Sequence, residues 1–296
     1  MNYGNDMEMG KNIEKIIQKK IAGGLYVTST PIGNLGDISA RALNLLKSAD
    51  YIACEDTRVS GKLLSHYGID TQTIAYHDHN APKVMPRLME LLSKGKIIAL
   101  ISDAGTPLIS DPGYKLVNEC HNADILVTSI PGASALLCAL TSAGMPTDSF
   151  LFCGFLSSKT SARQKELEKF AQVPATLIYY ESPKRLHKCL VDMRAVLGNR
   201  LCAVCREMTK LYEEVQKRNL DDLIEFYKNR PTPKGEIVIV VSPPEKGEGR
   251  IDDLDDAMKK ALKTLSVKEA VAAVTYMTGR KRKDVYTKAL ELTNNE

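Results

Sequence analysis

Short apolar segments alternate with longer amphipathic segments from Leu25 onward, and this alternation constrains the fold more than any other feature of the chain. The apolar segments have the length of β-strands, and the amphipathic segments have the periodicity of helices. Repeated βα units of this kind build a mostly parallel sheet covered by helices. The sequence therefore predicts an α/β fold in which Asp37 caps the first helix, with the first strands at residues 25–29, 51–54, 97–101 and 125–129.

A second series of strands and helices follows the break at Gly144, Met145 and Pro146. Its pattern predicts strands at residues 151–155, 176–180, 202–205 and 237–241, separated by helices at residues 162–170, 183–197 and 220–227. A segment rich in proline and glycine comes next, and beyond it the pattern is helical only. The predicted organisation is an N-terminal extension at residues 1–24, α/β domains at residues 25–146 and 147–243, a linker at residues 244–250 and a helical domain at residues 251–296.

The helical tail has the pattern of a helix-turn-helix. Ser266 and Glu269 have the spacing of a capping box, in which each residue satisfies a backbone donor at the start of a helix. Gly279 is expected to end that helix, and a second helix is expected at residues 283–292. Two short helices joined by a glycine turn are typical of helix-turn-helix domains.

The composition indicates a folded globular protein, because 44% of the residues are hydrophobic and 26% are charged. No apolar run approaches the roughly 18 residues that a membrane-spanning helix needs, and the N-terminal segment lacks the plan of a secretory signal. The seven cysteines are therefore expected to be reduced thiols in the cytoplasm. Cys202 and Cys205 are three residues apart in a predicted strand, which places them on opposite faces, and no metal site is predicted.

Ligands of parallel sheets bind at the carboxyl ends of the strands, so the loops after the strands are the expected site. Residues 30–37 and 131–135 contain glycine and other small residues, residues 54–58 group Glu55, Asp56 and Arg58, and residues 102–113 combine small residues with aspartates and prolines. The loop at residues 102–113 contains neither the pattern of a nucleoside triphosphate site nor that of a dinucleotide site. The small residues at 131–135, at the start of a predicted helix, suit a flat, partly apolar ligand such as adenosine.

These loops form part of a set of six motifs that resembles a known family. The motifs lie at residues 30–35, 54–58, 102–113, 130–134, 180–185 and 206–210. Over residues 25–241 the chain resembles the tetrapyrrole methylase superfamily, and within it the branch that methylates the ribose 2′-oxygen of a cytidine in 16S ribosomal RNA. The helical tail is similar to the helix-turn-helix that this branch carries and that the porphyrinoid enzymes lack.

The resemblance implies two α/β domains of the class III methyltransferase type, S-adenosylmethionine in the cleft between them, and a homodimer. Thr106 stands where relatives carry aspartate in a Gly-Asp-Pro sequence, so this chain offers no carboxylate at that position. By the same resemblance the cofactor is expected to lie against Pro31, Ala104, Gly105, Thr106, Ile109, Ser134, Ala135, Glu181 and Met208.

Methyl transfer from a sulfonium releases a neutral thioether, so the reaction needs a positioned nucleophile rather than an acid. A base that accepts the proton of a ribose hydroxyl adds about 10²- to 10⁴-fold to the rate. The sequence does not rank the carboxylates near the strand ends, which are Glu55, Asp103, Asp111 and Glu181. The predicted catalytic residues are Glu55 and Asp103, with Arg58 orienting a carboxylate or binding a phosphate.

RNA binding requires local positive charge, because the whole chain has 40 basic and 36 acidic residues, a net charge of +4. Cations at a helix start oppose the helix dipole unless an anion binds there, and such a cluster occurs at the turn of the tail. A solvated helix surface is the alternative interpretation, because the tail as a whole is nearly neutral. The predicted RNA-binding residues are Arg185, Arg280, Lys281, Arg282 and Lys283.

Two other functions are compatible with the resemblance. A methyltransferase acting on a tetrapyrrole has the same fold, although the helical tail and the Glu55–Arg58 loop weigh against it. A ribosome-binding module without turnover is the second alternative, and the complete set of cofactor loops weighs against that function. The expected partner is therefore 16S ribosomal RNA in the small ribosomal subunit, with no membrane partner.

Overall fold

The computed structural model describes residues 21–244, 251–262, 265–278 and 280–293. Two five-stranded sheets, each flanked by helices, precede three helices in the tail. Most of the predicted N-terminal extension, most of the predicted linker and Gly279 lie outside the described residues. Within the described ranges, no helix is both long enough and apolar enough to span a membrane.

The first sheet is entirely parallel and has the order β3-β2-β4-β1-β5. Because β1 lies between β4 and β5, the carboxyl ends of these three strands are adjacent and the loops that follow them meet. The strands are β1 (Gly24–Thr28), β2 (Tyr51–Cys54), β3 (Thr73–Ala75), β4 (Ile97–Ile101) and β5 (Val127–Ile130).

Two pairs of helices cover the faces of the first sheet. Helices α1 (Ala40–Ser48) and α2 (Thr57–His66) bury leucines on one face, and α3 (Ala81–Ser93) and α4 (Tyr114–Asn122) bury leucines on the other. The sheet is therefore covered on both faces, as the apolar character of its strands requires.

The second sheet is mostly antiparallel, so the expectation of a mostly parallel sheet is wrong for this half of the chain. Its order is β6-β7-β10-β8-β9, and only β6 and β7 are parallel. The alternation of strands and helices is the same in both halves, but here β8 and β9 are joined by a short loop without a helix. The strands are β6 (Phe150–Phe155), β7 (Thr176–Glu181), β8 (Leu201–Arg206), β9 (Glu214–Asn219) and β10 (Ile237–Val241).

The last helix of the first half packs against the second sheet and joins the two halves. Helix α5 (Ala135–Ala143) buries Ala139 and Leu140 in one core with Ile178 of β7 and Val240 of β10. The opposite face is covered by α6 (Thr160–Glu168), α7 (Leu186–Leu197) and α8 (Leu220–Lys228). The sequence-based domain boundary near residue 146 stays a prediction.

The two cysteines of β8 confirm the predicted alternation of the strand. Cys202 packs in the core beneath α6, α7 and α8, and Cys205 packs in the core beneath α5. Both are buried free thiols. Burial raises the pKa of Cys205 to about 12, so this thiol stays protonated at neutral pH.

The tail has its own apolar core, formed by α9 (Ile251–Leu262), α10 (Val267–Thr278) and α11 (Arg282–Thr293). The predicted capping box at the start of α10 is confirmed. The backbone N–H of Ser266 donates to Glu269 at 3.0 Å, and the N–H of Glu269 donates to the Ser266 hydroxyl at 3.4 Å. Ala270, Val271 and Val274 on this helix are buried.

The predicted cap at Asp37 is wrong. The N-cap of α1 is Ser39, whose hydroxyl accepts from the N–H of Ala42 at 3.1 Å. Asp37 ends a 3-10 helix, Leu35–Asp37, which Asn34 caps by accepting from the N–H of Gly36 at 3.0 Å. A hydroxyl two residues nearer to the helix therefore takes the role predicted for the carboxylate.

Candidate active site

The loops after β1, β4 and β5 meet at the edge of the first sheet. The backbones of Thr30 and Gly105 exchange two hydrogen bonds, with N···O distances of 2.9 and 3.1 Å. Thr106 donates its hydroxyl to the carbonyl of Ala133 at 3.1 Å and accepts from the Ser29 hydroxyl at 2.9 Å. The Thr106 hydroxyl therefore connects the three loops.

The loop after β4 has an unusual backbone. Gly105 has φ +84°, and a Cβ at this position would lie 3.2 Å from the Ile32 side chain. Leu108 and Ser110 also have positive φ, at 73° and 66°. Residues other than glycine rarely adopt this conformation, and such strain concentrates at ligand sites. The backbone of this loop is therefore strained at Leu108 and Ser110, and it uses glycine at position 105.

A cavity of about 330 Å³ lies between this loop cluster and the edge of the second sheet. Its volume is within the range of sites for small organic ligands. Small residues form most of the wall from the first half, and a strand end with its flanking residues forms the wall from the second half. The lining residues are Ile32, Ala104, Gly105, Thr106, Ile109, Ser110, Asp111, Ser134, Ala135, Phe155, Tyr180, Glu181, Ser182, Pro183, Gly235, Glu236, Ile237 and Val238.

The antiparallel pairing of the second sheet brings residues to the cavity that the sequence analysis did not predict. Ile237 at the start of β10 pairs in register with Glu181 at the end of β7 and with Arg206 at the end of β8. Gly235 and Glu236, which precede β10, therefore reach the cavity. A search of the carboxyl ends of parallel strands overlooks the residues before an antiparallel strand.

Three carboxylates line the cavity, and two of them are paired with cations. Glu181 is buried and accepts from Nε and Nη2 of Arg185 at 2.7 and 2.9 Å. Glu236 lies 2.8 Å from Nζ of Lys210. Asp111 pairs with no lysine or arginine in the described part of the chain. Burial, opposed by a hydrogen bond from Ser102 and reinforced by the charge of Asp103, raises its pKa.

The predicted catalytic residues lie next to the cavity rather than in its lining. Because β2 and β4 are neighbours, the loops after them meet, and the N–H of Asp56 donates to Asp103 at 3.3 Å. Burial and the charge of Asp103 raise the pKa of Glu55. The structure therefore brings Glu55 and Asp103 together beside the cavity, with Asp103 in the loop after β4, directly before the lining residue Ala104, and Glu55 in the loop after the neighbouring strand β2.

Arg58 does not reach this group of carboxylates. Its guanidinium is bound to Asp56, with an N···O distance of 2.7 Å, and its side chain is 87% exposed. The hydrogen bonds from Arg58 hold the pKa of Asp56 well below its usual range. Asp56 is also the N-cap of α2, so its position is accounted for by capping.

Most of the predicted cofactor residues are brought together by the fold. Pro31 and Met208 are the exceptions, since both are buried outside the lining, and Met208 packs with Ile32 in the core beneath α5. The lining fits an adenosine-type ligand, because Gly105 leaves open the space that a Cβ would fill, beside small residues and Ile109. The predicted cofactor residues in the lining are Ala104, Gly105, Thr106, Ile109, Ser134, Ala135 and Glu181.

The predicted RNA-binding residues occupy two places. Arg185 holds Glu181 and also donates to the carbonyl of Leu156 at 2.7 Å, so it is built into the cavity wall. Lys281, Arg282 and Lys283 are exposed at the start of α11.

No group of histidine, cysteine and carboxylate side chains in the described ranges could hold a metal ion.

Comparison with protein families gives two matches that together span most of the chain. The tetrapyrrole (corrin/porphyrin) methylases match residues 24–224, and the RsmI C-terminal HTH domain matches residues 248–293. A ribosomal RNA small subunit methyltransferase I from Mesorhizobium japonicum is 46% identical over 279 residues, which are 94% of this chain and 95% of that protein. A protein of the same name from Vibrio cholerae is 44% identical, over 90% of this chain and 94% of that protein.

Solved structures with the same fold have low sequence identity. A diphthine synthase aligns with a TM-score of 0.58 and 14% identity, over 75% of this chain and 90% of its own. A uroporphyrin-III C-methyltransferase from Thermus thermophilus, in complex with S-adenosyl homocysteine, aligns with a TM-score of 0.51 and 18% identity, over 74% and 97% of the two chains. These structures confirm the predicted fold of two α/β halves.

Proposed function

The chain belongs to the tetrapyrrole methylase family, in the group of ribosomal RNA small subunit methyltransferases I, and on this premise we propose that it methylates 16S ribosomal RNA with S-adenosylmethionine. One observation carries the proposal: the similarity to these enzymes extends through the helix-turn-helix as well as the catalytic halves. The acceptor is the 2′-oxygen of a cytidine ribose in the small subunit.

The cofactor is held in the cavity between the halves. When bound there, S-adenosylmethionine supplies an electrophilic methyl group on a sulfonium. The loop of Ala104, Gly105 and Thr106 provides a close backbone surface, and Ile109 and Ala135 provide apolar contact. Glu181, fixed by Arg185, offers carboxylate oxygens in the wall from the second half. Positioning supplies most of the acceleration, because effective molarities for well-oriented groups reach about 10⁵ M or more.

Asp111 is the residue that accepts the proton of the ribose hydroxyl. It lines the cavity, and it forms no ion pair with a lysine or arginine in the described part of the chain. Glu181 and Glu236 are unsuited to this role because each is paired. With S-adenosylmethionine bound, Asp111 would accept the proton of the ribose hydroxyl as the methyl group is transferred to its oxygen, and would then release that proton to water. The charge of Asp103 favours proton uptake by Asp111, and the charge of Asp111 in turn raises the pKa of Glu55.

A homodimer accompanies this function. Leu211 and Tyr212, in the loop between β8 and β9, are 88% and 68% exposed. Exposed apolar residues side by side are typical of contact surfaces. Sedimentation of the protein and of a Leu211→Ser/Tyr212→Ser variant tests the dimer, and a parent protein that sediments as a monomer would contradict it.

The function is tested with small ribosomal subunits from cells that lack this enzyme. Incubation with the protein and S-adenosylmethionine is expected to add one methyl group to a cytidine ribose, which mass spectrometry of nuclease fragments detects. A porphyrinoid acceptor in a parallel reaction is expected to remain unmodified. Cofactor binding by calorimetry without methyl transfer to either acceptor would favour a binding module instead.

A further inference from the structure

A second groove lies on the second half of the protein, where α8 packs near the edge strand β9. Its volume is about 400 Å³. None of the residues predicted to bind cofactor or RNA lines it. The lining residues are Arg206, Glu214, Phe226, Tyr227, Arg230, Pro231, Thr232 and Pro233.

Two arginines converge on one aromatic ring at this groove. The guanidinium carbon of Arg230 lies 3.9 Å from the centroid of the Phe226 ring, and that of Arg218 lies 4.7 Å from it. Both distances are within the range of cation–π contacts. Two exposed guanidinium groups therefore pack against the same ring at the surface.

The charge of these two arginines is not neutralised by a carboxylate within the described ranges. Besides the ring, Arg218 contacts the neutral side-chain amide of Gln216, to which it donates at 3.5 Å. The one acidic side chain of the groove, Glu214, is paired with Arg206 at 3.2 Å. Like charges gathered without counter-charge create a surface that favours an anion.

The groove is continuous with the cavity along the chain. Residues 231–233 line the groove, and Gly235, Glu236 and Ile237 line the cavity. Arg206 joins the two places, because its Nη1 donates to the carbonyl of Lys234 at 3.3 Å. Ile237 of the cavity pairs in register with Arg206, which pairs with Glu214 of the groove, so the two sites lie along the same edge of the second sheet. A polymer whose reacting unit occupies the cavity must leave it, and this edge leads to the groove.

We propose that this groove binds the single-stranded ribosomal RNA next to the target nucleotide, with Arg218 and Arg230 on phosphates. The proposal rests on the proposed function. Phosphates accept paired hydrogen bonds from guanidinium groups, and aromatic rings and guanidinium planes are surfaces on which unstacked bases pack. The phenylalanine fixes the orientation of both groups before RNA binds.

The test uses the full-length protein and unmethylated small subunits. An Arg218→Gln/Arg230→Gln variant is expected to raise KM for the subunit at least tenfold, with kcat and S-adenosylmethionine affinity unchanged. The slope of log affinity against log salt should fall by about 1.4, at ~0.7 per phosphate contact. Phe226→Leu keeps both charges, so it should weaken binding with little change in slope. Arg194→Gln is the matched control, because Arg194 is a surface arginine paired with Asp221.

The outcomes separate this inference from the proposed function. A double variant with unchanged KM and salt slope, in a protein that methylates the subunit, would overturn the groove assignment alone. Absence of methyl transfer by the unaltered protein would instead overturn the proposed function. A double variant that sediments differently from the parent would assign the groove to contact between two copies of the chain, and the RNA assignment would be wrong.

Discussion

Asp111 and Glu181 differ in what they can do because their neighbours differ. Both line the same cavity, but Glu181 forms an ion pair with the guanidinium of Arg185, which also holds the Glu181 side chain in position. Asp111 has burial and a neighbouring carboxylate instead, and both raise its pKa. A carboxylate with a raised pKa accepts a proton more readily at neutral pH.

Replacing Asp111 with asparagine is therefore expected to lower the single-turnover rate about 10²-fold or more at saturating cofactor. The base acts as a carboxylate, so its raised pKa makes activity decline on acidification at a higher pH than an ordinary aspartate would. That acid limb of the pH–rate profile should disappear in the variant. Glu236→Gln is the control, because this carboxylate of the lining is already paired.

The same measurement decides between Asp111 and the residues that the sequence analysis put forward. The pKa of Glu55 is raised by burial and by the charges of Asp103 and Asp111, so Glu55 and Asp111 interact. Glu55→Gln removes one of these two charges and is expected to move the acid limb of the pH–rate profile without removing it. A rate within threefold of the parent for Asp111→Asn, together with a hundredfold loss for Glu55→Gln, would make Glu55 the base.

Gly105 is the residue at which a side chain should be least tolerated. Gly105→Val places a branched side chain at φ +84° against Ile32, so we expect S-adenosylmethionine affinity in calorimetry to fall at least a hundredfold. Gly198→Val is a close control, with φ +81° and no atom within 4 Å of its Cβ. It carries a comparable backbone strain away from the cavity. Equal affinity in both variants would show that this loop does not hold the cofactor.

At the scale of elements, a buried ion pair holds α6 against α7. Arg163 and Asp192 are both buried and lie 2.5 Å apart, and Gln164 donates to the second Asp192 oxygen at 2.8 Å. Removing one partner leaves a buried charge unpaired, which costs about 3–5 kcal/mol.

Asp192→Ala is accordingly expected to lower the free energy of unfolding by about 3–5 kcal/mol in urea titrations. An Arg163→Met/Asp192→Leu variant should lose less than Asp192→Ala does, because neither charge remains. A loss below about 1 kcal/mol in Asp192→Ala would mean that the unpaired arginine reaches water, contrary to its burial.

The elements that the sequence predicts best are those with a single dominant signal. Buried strands such as β2, β4 and β10 are continuous apolar runs, and their predicted bounds match the structure. Strand β9 is polar except for Val215, because it lies at a sheet edge, where charged residues prevent pairing with other chains. Strand β3 has only three residues, too few to show a period.

At the scale of the whole molecule, the site follows from topology that a single sequence does not contain. The sequence identifies the loops that carry small residues, but the order of the strands decides which loops meet. Because β1 lies between β4 and β5, the loops after these three strands meet and line the cavity. Because β2 lies on the other side of β4, Glu55 lies beside the cavity and outside its lining. The direction of β10 adds Gly235 and Glu236. The resemblance to a family predicted residues that are far apart in sequence and that the fold brings together in the lining, because the family pattern already includes this topology.

The tail is expected to supply a second RNA contact that is independent of the cofactor. Lys281, Arg282 and Lys283 are exposed at the start of α11, where their charges oppose the helix dipole. Changing all three to glutamine removes that repulsion, so helix stability should not fall. Affinity for the small subunit should fall, and the slope of log affinity against log salt should shrink by about 2, at ~0.7 per contact.

The control for the tail is Lys268→Gln, which removes one exposed charge from α10. S-adenosylmethionine affinity should be unchanged in both variants, because every residue of the cavity lining precedes the tail in sequence and belongs to the two α/β halves. Combining the triple variant with Arg218→Gln/Arg230→Gln should add the two losses in slope if tail and groove bind separate phosphates. A triple variant with the salt slope of the parent would make the cluster a solvated helix start, and the contacts of the two halves would then account for RNA binding.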